Sequence, residues 1–347
     1  MSRSPSILTP NLLPAPFLPK DLYQSMAIFS RMREDIFAKS WQCVGMNSHF
    51  QQAGIVQPFL LMEDLLDEPL LMICDEQKTL HCLSNVCPQC GSILLRERNQ
   101  LTELRCPQDG SRYSLQGQCL EIAQSAEPPQ TSDHLPMLNL RGFGDLLFTG
   151  VTASTPFEQW IQPITDRTGK MAWSKLVHEG EYSHSIHIEA NWTLYVDHVL
   201  TQRGDGIKQH LLAEGVMHLR NAKSDAPIFD LPDGHPDRGQ SISAMHCWLW
   251  PNLLLDIYPW GVVVRIIDPI APSETRIRSE SFLWHPDLLD PLFAELLHHA
   301  ELDRASQLES QQRGMQSRLF RGKHPAEGSA MQHFHKMLMT SIKQGSD

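Results

Sequence analysis

The sequence predicts an α+β protein with two domains, an N-terminal β domain and a larger domain built on an antiparallel sheet. Two observations predict this. From Trp41 to about residue 125, short apolar runs alternate with turn signals, a pattern typical of a small β domain. After a polar, proline-bearing connector that follows Gln124, alternating and apolar runs are bracketed by helical segments. Strands that are bracketed by helices in this way favour an antiparallel α+β domain.

The first part of the chain combines one helix with several strands. Residues 1–19 are rich in proline, and Asp21 can cap a helix that extends to about residue 37, with apolar side chains at helical spacing. We expect this helix to pack on the second domain. The strand-like runs that follow are FLLM from Phe59, PLLMICD from Pro69, TLHCLSNVC from Thr79, SILLRE from Ser92 and LTELRC from Leu101.

The second part alternates strands and helices. Strand-like runs are EYSHSIHIEANW, AMHCWLWPNLLLDIY, GVVVRIID and TRIRSESFLW. Helical spacing of apolar residues predicts helices over Trp192–Leu200, Asp287–Gln312 and Pro325–Ile342.

Composition excludes several classes of protein. A net charge of −11 argues against binding to a nucleic-acid backbone, which requires a basic face. The apolar stretch from Trp248 is interrupted by prolines and by Asp256 and Arg265, so it cannot span a bilayer. The proline-broken start lacks the continuous apolar core of a signal peptide. We therefore expect a cytoplasmic protein with no membrane and no nucleic-acid partner.

Cysteines form the most informative motif. CPQC at Cys87–Cys90 and CPQD at Cys106–Asp109 lie on what the pattern predicts to be two facing hairpins. Two turns that each supply a pair of ligands, at the spacing of zinc ribbons, can enclose a tetrahedral ion. The remaining cysteines lie mostly in apolar runs, where a small buried hydrophobic role is the ordinary interpretation; they are Cys43, Cys74, Cys82, Cys119 and Cys247.

Several stretches in a fixed order resemble the catalytic α subunit of Rieske non-haem iron oxygenases, of the aromatic-ring-hydroxylating dioxygenase type. They are SWQCVG from Ser40, DEPLLMICDEQKTLHCLSNVCPQCGSILL, LRCPQDGSRYSLQG, ANWTLYVDHVL from Ala190, HCWLWPNLLLDIYPWGVVVRIIDP from His246 and ESQQRGMQSRLF from Glu309. The resemblance covers about residues 20–340. It implies a Rieske-like domain over residues 38–155 and a catalytic-like domain over residues 156–347. The second domain would have the helix-grip fold, an antiparallel sheet around a long C-terminal helix. Residues 1–37 would form a tail and a helix that packs on this catalytic-like domain.

The resemblance also implies a [2Fe–2S] centre, but both of its histidine positions differ. A Rieske centre has two cysteines on one iron and two histidines on the other. Here Gln89 and Asp109 occupy the histidine positions. Three interpretations follow for Cys87, Cys90, Cys106 and Asp109: hairpins without a metal, a structural zinc or iron held by three thiolates and a carboxylate, or an atypically ligated [2Fe–2S] cluster.

The implied mononuclear iron site is altered as well. In the family a helix that begins with Asn-Trp leads to a bridging acid and two histidines, and a later helix adds a carboxylate. With the longer family spacing the histidine positions are Asp205 and His210. With the shorter spacing they are Gly204 and Gln209. The bridging acid is likewise replaced, by Gln202 in the longer register or Thr201 in the shorter one.

The third iron ligand is uncertain in position. Counting back from ESQQRG, the carboxylate position is Arg304, next to Asp303. A one-residue shift makes Asp205, His210 and Asp303 the candidate mononuclear metal ligands. The alternative is that Asp205, between two glycines, is a turn residue and that His210 is an ordinary polar residue.

Two functions from different classes therefore follow. We expect a non-catalytic or accessory Rieske oxygenase α-subunit-like protein, either a homotrimer or a partner of an intact α subunit. The alternative is an active but unconventional oxygenase, a hydroxylase or demethylase, with a Cys/Asp-ligated cluster, a reductase partner, O₂ and electrons from NAD(P)H. The altered ligands argue against mononuclear iron in the accessory protein, whereas the active oxygenase would use a modified mononuclear site. No substrate is implied.

Overall fold

A computed structural model describes residues 18–123, 127–168, 171, 173–201, 206–222, 227–231, 233–320 and 329–344. None of the helices in these ranges combines the length and the apolar content needed to cross a membrane.

The first part of the chain forms three small antiparallel sheets. One has the strand order β5-β2-β3-β4-β9, one the order β6-β7-β8, and one the order β1-β11-β10. The strands are β1 (Gln42–Met46), β2 (Ile55–Leu61), β3 (Glu68–Cys74), β4 (Leu80–Ser84), β5 (Asn99–Gln100), β6 (Glu103–Arg105), β7 (Arg112–Ser114), β8 (Cys119–Glu121), β9 (Met137–Leu138), β10 (Arg141–Phe143) and β11 (Leu146–Thr149). The predicted β domain is therefore present.

The second part is built on a seven-stranded antiparallel sheet with the order β12-β18-β17-β16-β15-β14-β13. The strands are β12 (Val177–Ile188), β13 (Ile207–Leu212), β14 (Gly215–Asn221), β15 (Ile242–Leu249), β16 (Leu253–Tyr258), β17 (Gly261–Ala271) and β18 (Glu274–Leu283). The helices are α1 (Met26–Asp35), α2 (Phe157–Thr168), α3 (Trp192–Leu200), α4 (Pro291–Met315) and α5 (Ala330–Gln344). This confirms the predicted α+β class with an antiparallel second domain.

The central strands β15, β16 and β17 carry apolar side chains on both faces because both faces of the sheet are covered. Successive side chains on a strand point to opposite faces. Trp248 accordingly belongs to the core formed with α1, α3, α4 and α5. Cys247 belongs to a second core, formed with α2, β1 and β11. The sheet thus lies between two hydrophobic layers, and the β1-β11 pair of the first part contributes to one of them.

Helix boundaries follow local signals, with two differences from prediction. The helix over Trp192–Leu200 lies where the pattern predicts it, capped by Asn191, whose side chain accepts a hydrogen bond from the Thr193 amide. The first helix is capped by Ser25, while Asp21 lies in a preceding short 3₁₀ turn. Helix α2 was not predicted, because Pro163 interrupts its pattern.

The last two helices lie close to their predicted positions. Helix α4 begins at Pro291, with Asp290 as its cap, and ends three residues beyond the predicted Gln312. Helix α5 begins at Ala330. The predicted start of this helix, at residues 325–328, lies outside the described residues.

Asn191 connects four parts of the fold. Its buried amide nitrogen donates hydrogen bonds to the carbonyl oxygens of Pro272 at 2.6 Å and Leu22 at 3.4 Å. Its backbone amide donates to Gln312 Oε1 at 3.2 Å. A single buried residue therefore ties the N-terminal segment, α3, the β17-β18 turn and α4 together. The first helix also contacts α5 of the second part of the chain.

We predict that Phe334→Ala lowers the free energy of unfolding by about 3–5 kcal/mol, since a large core side chain is replaced by a cavity. Phe334 has no exposed surface and its ring contacts those of Trp192, Trp248 and Trp250. Urea denaturation followed by tryptophan fluorescence measures the change. The control is Leu319→Ala, a side chain that is 82% exposed, which should change stability by less than about 0.5 kcal/mol. Equal effects of the two substitutions would contradict the predicted role of Phe334.

Candidate metal site and cavity

Two turns of nearly identical sequence carry the candidate metal ligands. Residues 87–92 read CPQCGS and residues 106–111 read CPQDGS, so they differ only where Cys90 is matched by Asp109. The first turn follows β4 of the five-stranded sheet, and the second joins β6 to β7 of a three-stranded sheet. This six-residue repeat is visible in the sequence, but it does not appear when each cysteine motif is considered separately.

The two turns also share their backbone conformation. In each, the first cysteine donates its amide hydrogen to the serine carbonyl at 2.8 Å, and the glycine amide donates back to the cysteine carbonyl. Both glycines have positive φ, +72° for Gly91 and +84° for Gly110, which a residue with a side chain rarely adopts. The glycine in each turn therefore permits the tight return that aims two side chains at one point.

The predicted ligands Cys87, Cys90, Cys106 and Asp109 are brought together. Their ligand atoms all lie within 4.8 Å of one another. Cys90 Sγ is 3.5 Å from Cys106 Sγ, and Cys87 Sγ is 3.5 Å from Asp109 Oδ2. In the described part of the chain, these four side chains form a group of cysteine and acidic residues at metal-binding distances.

Hydrogen bonds orient two of these ligands. Asp109 Oδ1 accepts the amide of Ser111 at 2.8 Å, which leaves Oδ2 directed at the thiols. Burial alone would raise the pKa of the Asp109 carboxyl, but hydrogen bonds from Ser111 outweigh it and lower the pKa to about 2. The Tyr113 hydroxyl lies 3.2 Å from Cys87 Sγ. The carboxylate is therefore ionised at neutral pH and held in place.

The donor set of a Rieske centre is not assembled here. Gln89, at the first histidine position, is exposed, and its amide donates to Asp133 Oδ1 at 2.9 Å, so its side chain is committed elsewhere. Asp109 stands at the second histidine position. The residues present therefore do not fit two thiolates on one iron and two imidazoles on the other. The five remaining cysteines are buried, as expected of small core residues.

A cavity of about 490 Å³ lies between the large sheet and α4. Tyr258 and Trp260 line it, with stacked rings whose centroids are 4.9 Å apart. The polar lining side chains come from neighbouring strands and from α4: His246 on β15, Asp256 on β16, Arg265 on β17, and Glu301 and Arg304 on α4.

Charged side chains pair with one another along the polar wall. Glu301 accepts hydrogen bonds from the Tyr195 hydroxyl at 2.6 Å and from Arg265 at 3.0 Å, and it also pairs with Arg304. Arg265 continues the network to Asp256, which in turn contacts His246 Nδ1 at 2.7 Å. Two guanidinium groups therefore hold one buried carboxylate.

The network sets the charge state of its members. Burial alone would raise the pKa of Glu301, but Arg265 and Arg304 outweigh it and lower the pKa. Burial, together with the nearby guanidinium groups, lowers the pKa of His246 to about 3. At neutral pH Glu301 is therefore ionised and His246 is neutral. Because His246 Nδ1 donates to Asp256, its buried and unpaired Nε2 is a hydrogen-bond acceptor.

Of the predicted mononuclear ligands, the two in the described part of the chain do not line this cavity. Asp205 lies outside the described residues. His210 lies on β13, and neither it nor Asp303 is part of the described cavity lining. Asp303 is exposed, while Glu301 and Arg304, three residues apart on α4, share the inward face. Asp303 is one residue away from the expected position, Arg304. On a helix, a shift of one residue rotates the side chain by about 100°, which here directs Asp303 to solvent.

The described lining residues of the cavity therefore do not fit the iron triad of the family that the sequence resembles. Arg304, at the carboxylate position, offers a guanidinium with no lone pair for a metal. Gln209, a histidine position in the shorter register, lies on β13 and accepts the backbone amide of Ala330 at 3.2 Å. The pattern reading missed Glu301, Arg265 and Tyr195. A signal was available for Arg265, a charge inside an otherwise apolar strand.

Family profiles match both parts of the chain. Residues 26–138 match a profile described as the Rieske [2Fe-2S] domain. Residues 201–344 match the ring hydroxylating alpha subunit (catalytic domain).

Relatives are similar over most of their length. The carnitine monooxygenase oxygenase subunit of Escherichia coli (strain K12) is 23% identical over 363 aligned residues, which cover 94% of each chain. The chloroplastic choline monooxygenase of Spinacia oleracea is 23% identical, and the match covers 94% of this chain and 78% of the relative.

Solved structures share the fold. The quaternary ammonium Rieske monooxygenase CntA superposes with a TM-score of 0.72 at 18% identity, covering 94% of both chains. Naphthalene 1,2-dioxygenase from Rhodococcus sp. superposes with a TM-score of 0.72 at 16% identity, covering 95% of both chains. The chain therefore belongs to the Rieske oxygenase α subunits, with a Rieske domain followed by a ring-hydroxylating catalytic domain, and it is homologous to carnitine monooxygenase.

Proposed function

We propose that this chain is a non-oxygenating Rieske oxygenase α-subunit-like protein, a binding or accessory subunit that keeps the family's cavity without a mononuclear iron. One observation carries the proposal. Arg304 stands at the expected position of the iron-binding carboxylate, and its guanidinium pairs with Glu301 in the cavity wall. Such a group removes a ligand and repels a metal cation.

The rest of the cavity wall supports the same proposal. Glu301 is the carboxylate that remains near the expected position, but Tyr195 and two guanidinium groups already bind it. Releasing Glu301 to bind iron would leave Arg265 and Arg304 without this partner in a buried site, at a cost of several kcal/mol per buried ion. Iron binding therefore competes with a network that is complete without it.

The changes extend along the relay that the family uses for electron transfer. Imidazole ligands raise the potential of a Rieske centre above that of an all-thiolate cluster. Here neither histidine position holds histidine, and Gln89 is bonded to Asp133 instead. The two cluster histidines are replaced, and Arg304 stands where the family has a carboxylate. A role without electron delivery would permit all of these replacements.

The cavity itself supports a binding role. Its volume of about 490 Å³ falls in the range of small-molecule sites, and it combines a stacked Tyr258–Trp260 pair with a polar wall. The buried Nε2 acceptor of His246 and the unpaired Ser279 Oγ are available to a polar group. A small organic molecule with an apolar body and one polar end suits these features. Carnitine and choline, named for the relatives, are the first ligands to test.

An active oxygenase is the second candidate function, since similarity to named monooxygenases extends over 94% of the chain. In that case the cysteine site would hold an atypical cluster, and His210 with neighbouring acids would hold iron.

The proposal includes assembly with other subunits and a cytoplasmic location. Leu292 and Leu296 lie one turn apart on α4 and are 66% and 63% exposed, so they form an apolar surface suited to a subunit contact. The partner is either a second copy of this chain, as in a homotrimer, or an intact α subunit. The free cysteines suit a reducing compartment.

We predict that the purified protein, loaded anaerobically with Fe(II) and mixed with a Rieske oxygenase reductase and NADH, takes up no O₂ in response to carnitine or choline. The reason is that the cavity lacks a ligand set for iron. An oxygen electrode measures uptake, with an intact carnitine monooxygenase as positive control. Substrate-dependent uptake that His210→Ala abolishes would instead support the second candidate.

We predict that Arg304→Met lowers the free energy of unfolding by about 3 kcal/mol or more, since it leaves the buried Glu301 carboxylate with a single guanidinium. Urea denaturation measures the change. The matched control is Asp303→Asn, an exposed neighbour on the same helix, which should change stability by less than about 0.5 kcal/mol. If Arg304→Met is as stable as the parent protein, the network does not hold the cavity wall together.

A further inference from the structure

We propose that the paired turns bind one tetrahedral metal ion, Zn²⁺, through Cys87, Cys90, Cys106 and Asp109, in place of the two-iron cluster of the family. The four residues of this site do not line the cavity, and the inference does not depend on the proposed function.

The distances between ligand atoms fit a single ion. Metal–sulfur bonds of about 2.3 Å in a tetrahedron separate two sulfurs by about 3.8 Å, and a sulfur from a carboxylate oxygen by about 3.5 Å. Cys90 Sγ and Cys106 Sγ are 3.5 Å apart, as are Cys87 Sγ and Asp109 Oδ2, and no ligand pair exceeds 4.8 Å. A bridged two-iron cluster needs its two ligand pairs farther apart than this, because each pair binds a different iron.

The sequence repeat explains why Cys90, and not Gln89, supplies the second ligand of its turn. The two CPQ-x-GS turns have matching backbone hydrogen bonds and a positive-φ glycine directly after the fourth residue. Equivalent positions in two matching turns aim at the same point, so Cys90 and Asp109 play the same part. In the family's pattern the first turn would supply its two ligands from Cys87 and residue 89. Here the Gln89 side chain is instead hydrogen-bonded to Asp133.

The chemistry of the donor set favours zinc in a structural role. Thiolate ligands select soft or borderline metals such as zinc, and a closed set of four protein ligands leaves no open position for a substrate. Cys87 and Cys106 are buried, with 1% and 2% of their surface exposed, and the Tyr113 hydroxyl can donate to Cys87 Sγ as an outer-shell partner. The ion would join a turn of the five-stranded sheet to a hairpin of the β6-β7-β8 sheet.

Metal analysis of the full-length protein tests the inference. The protein is produced in medium that contains both iron and zinc, purified without chelator, and analysed by mass spectrometry for metals, by acid-labile sulfide assay and by visible absorption. We expect about one zinc per chain, no labile sulfide and no brown colour. About two irons with labile sulfide would overturn the inference, and so would a metal-free protein with a Cys90–Cys106 disulfide.

Three variants separate this ligand set from that of the family. Cys90→Ser should weaken zinc binding by more than about 100-fold. Changes to groups outside the ligand shell cost up to about 100-fold, and the loss of a direct ligand should cost more. Gln89→Ala, in the same turn, should retain zinc with unchanged affinity. Asp109→Cys should still bind one ion per chain, now through four cysteines, and its Co²⁺ form should show stronger sulfur-to-metal charge-transfer absorption than that of the parent. Loss of metal from Gln89→Ala, or full retention by Cys90→Ser, would overturn the assignment.

Discussion

The burial of Glu301 is the constraint on which the organisation of the larger domain depends. An ionised carboxylate in a protein interior requires opposite charges and hydrogen bonds, because its desolvation costs several kcal/mol. Here α4 contributes Arg304, β17 contributes Arg265 and α3 contributes Tyr195, so one charge ties two helices to the sheet. The same network forms the polar wall of the cavity. Its charges balance within the protein, which leaves the cavity able to accept a ligand but poorly suited to a metal cation.

The two halves of the protein have changed in different ways relative to their family. In the larger domain, the position expected to hold the iron-binding carboxylate is Arg304, whose guanidinium pairs with Glu301. In the β domain, the histidine positions are replaced, and Cys90, one residue further along the turn, completes a group of four potential ligands. A metal that joins two sheets can be retained for stability even where electron transfer is absent, since binding free energy contributes directly to folding.

The packing of the domain shows why the fold persists despite these changes. The large sheet is covered by α1, α3, α4 and α5 on one face, and by α2 with β1 and β11 on the other. Buried residues such as Trp192 and Phe334 lie in that first core, away from the altered polar groups of the cavity. Asn191 satisfies the backbone groups where these layers meet. Because hydrophobic packing does not depend on the metal ligands, the fold stays similar to that of CntA, with a TM-score of 0.72 at 18% identity.

Local features of the protein were decided by the sequence alone. The helix over Trp192–Leu200 begins after Asn191 because a cap acts within one turn. Each of the two cysteine turns likewise brings its own two candidate ligands together, although the meeting of the two turns is a tertiary contact. Tertiary structure decided the rest. Glu301, Arg265 and Tyr195 meet across up to 106 residues of chain, and periodicity within one segment carries no information about such contacts. The choice of Glu301 and Arg304 over Asp303 depended on the rotation of α4 against the sheet, which only the packing of the assembled core determines.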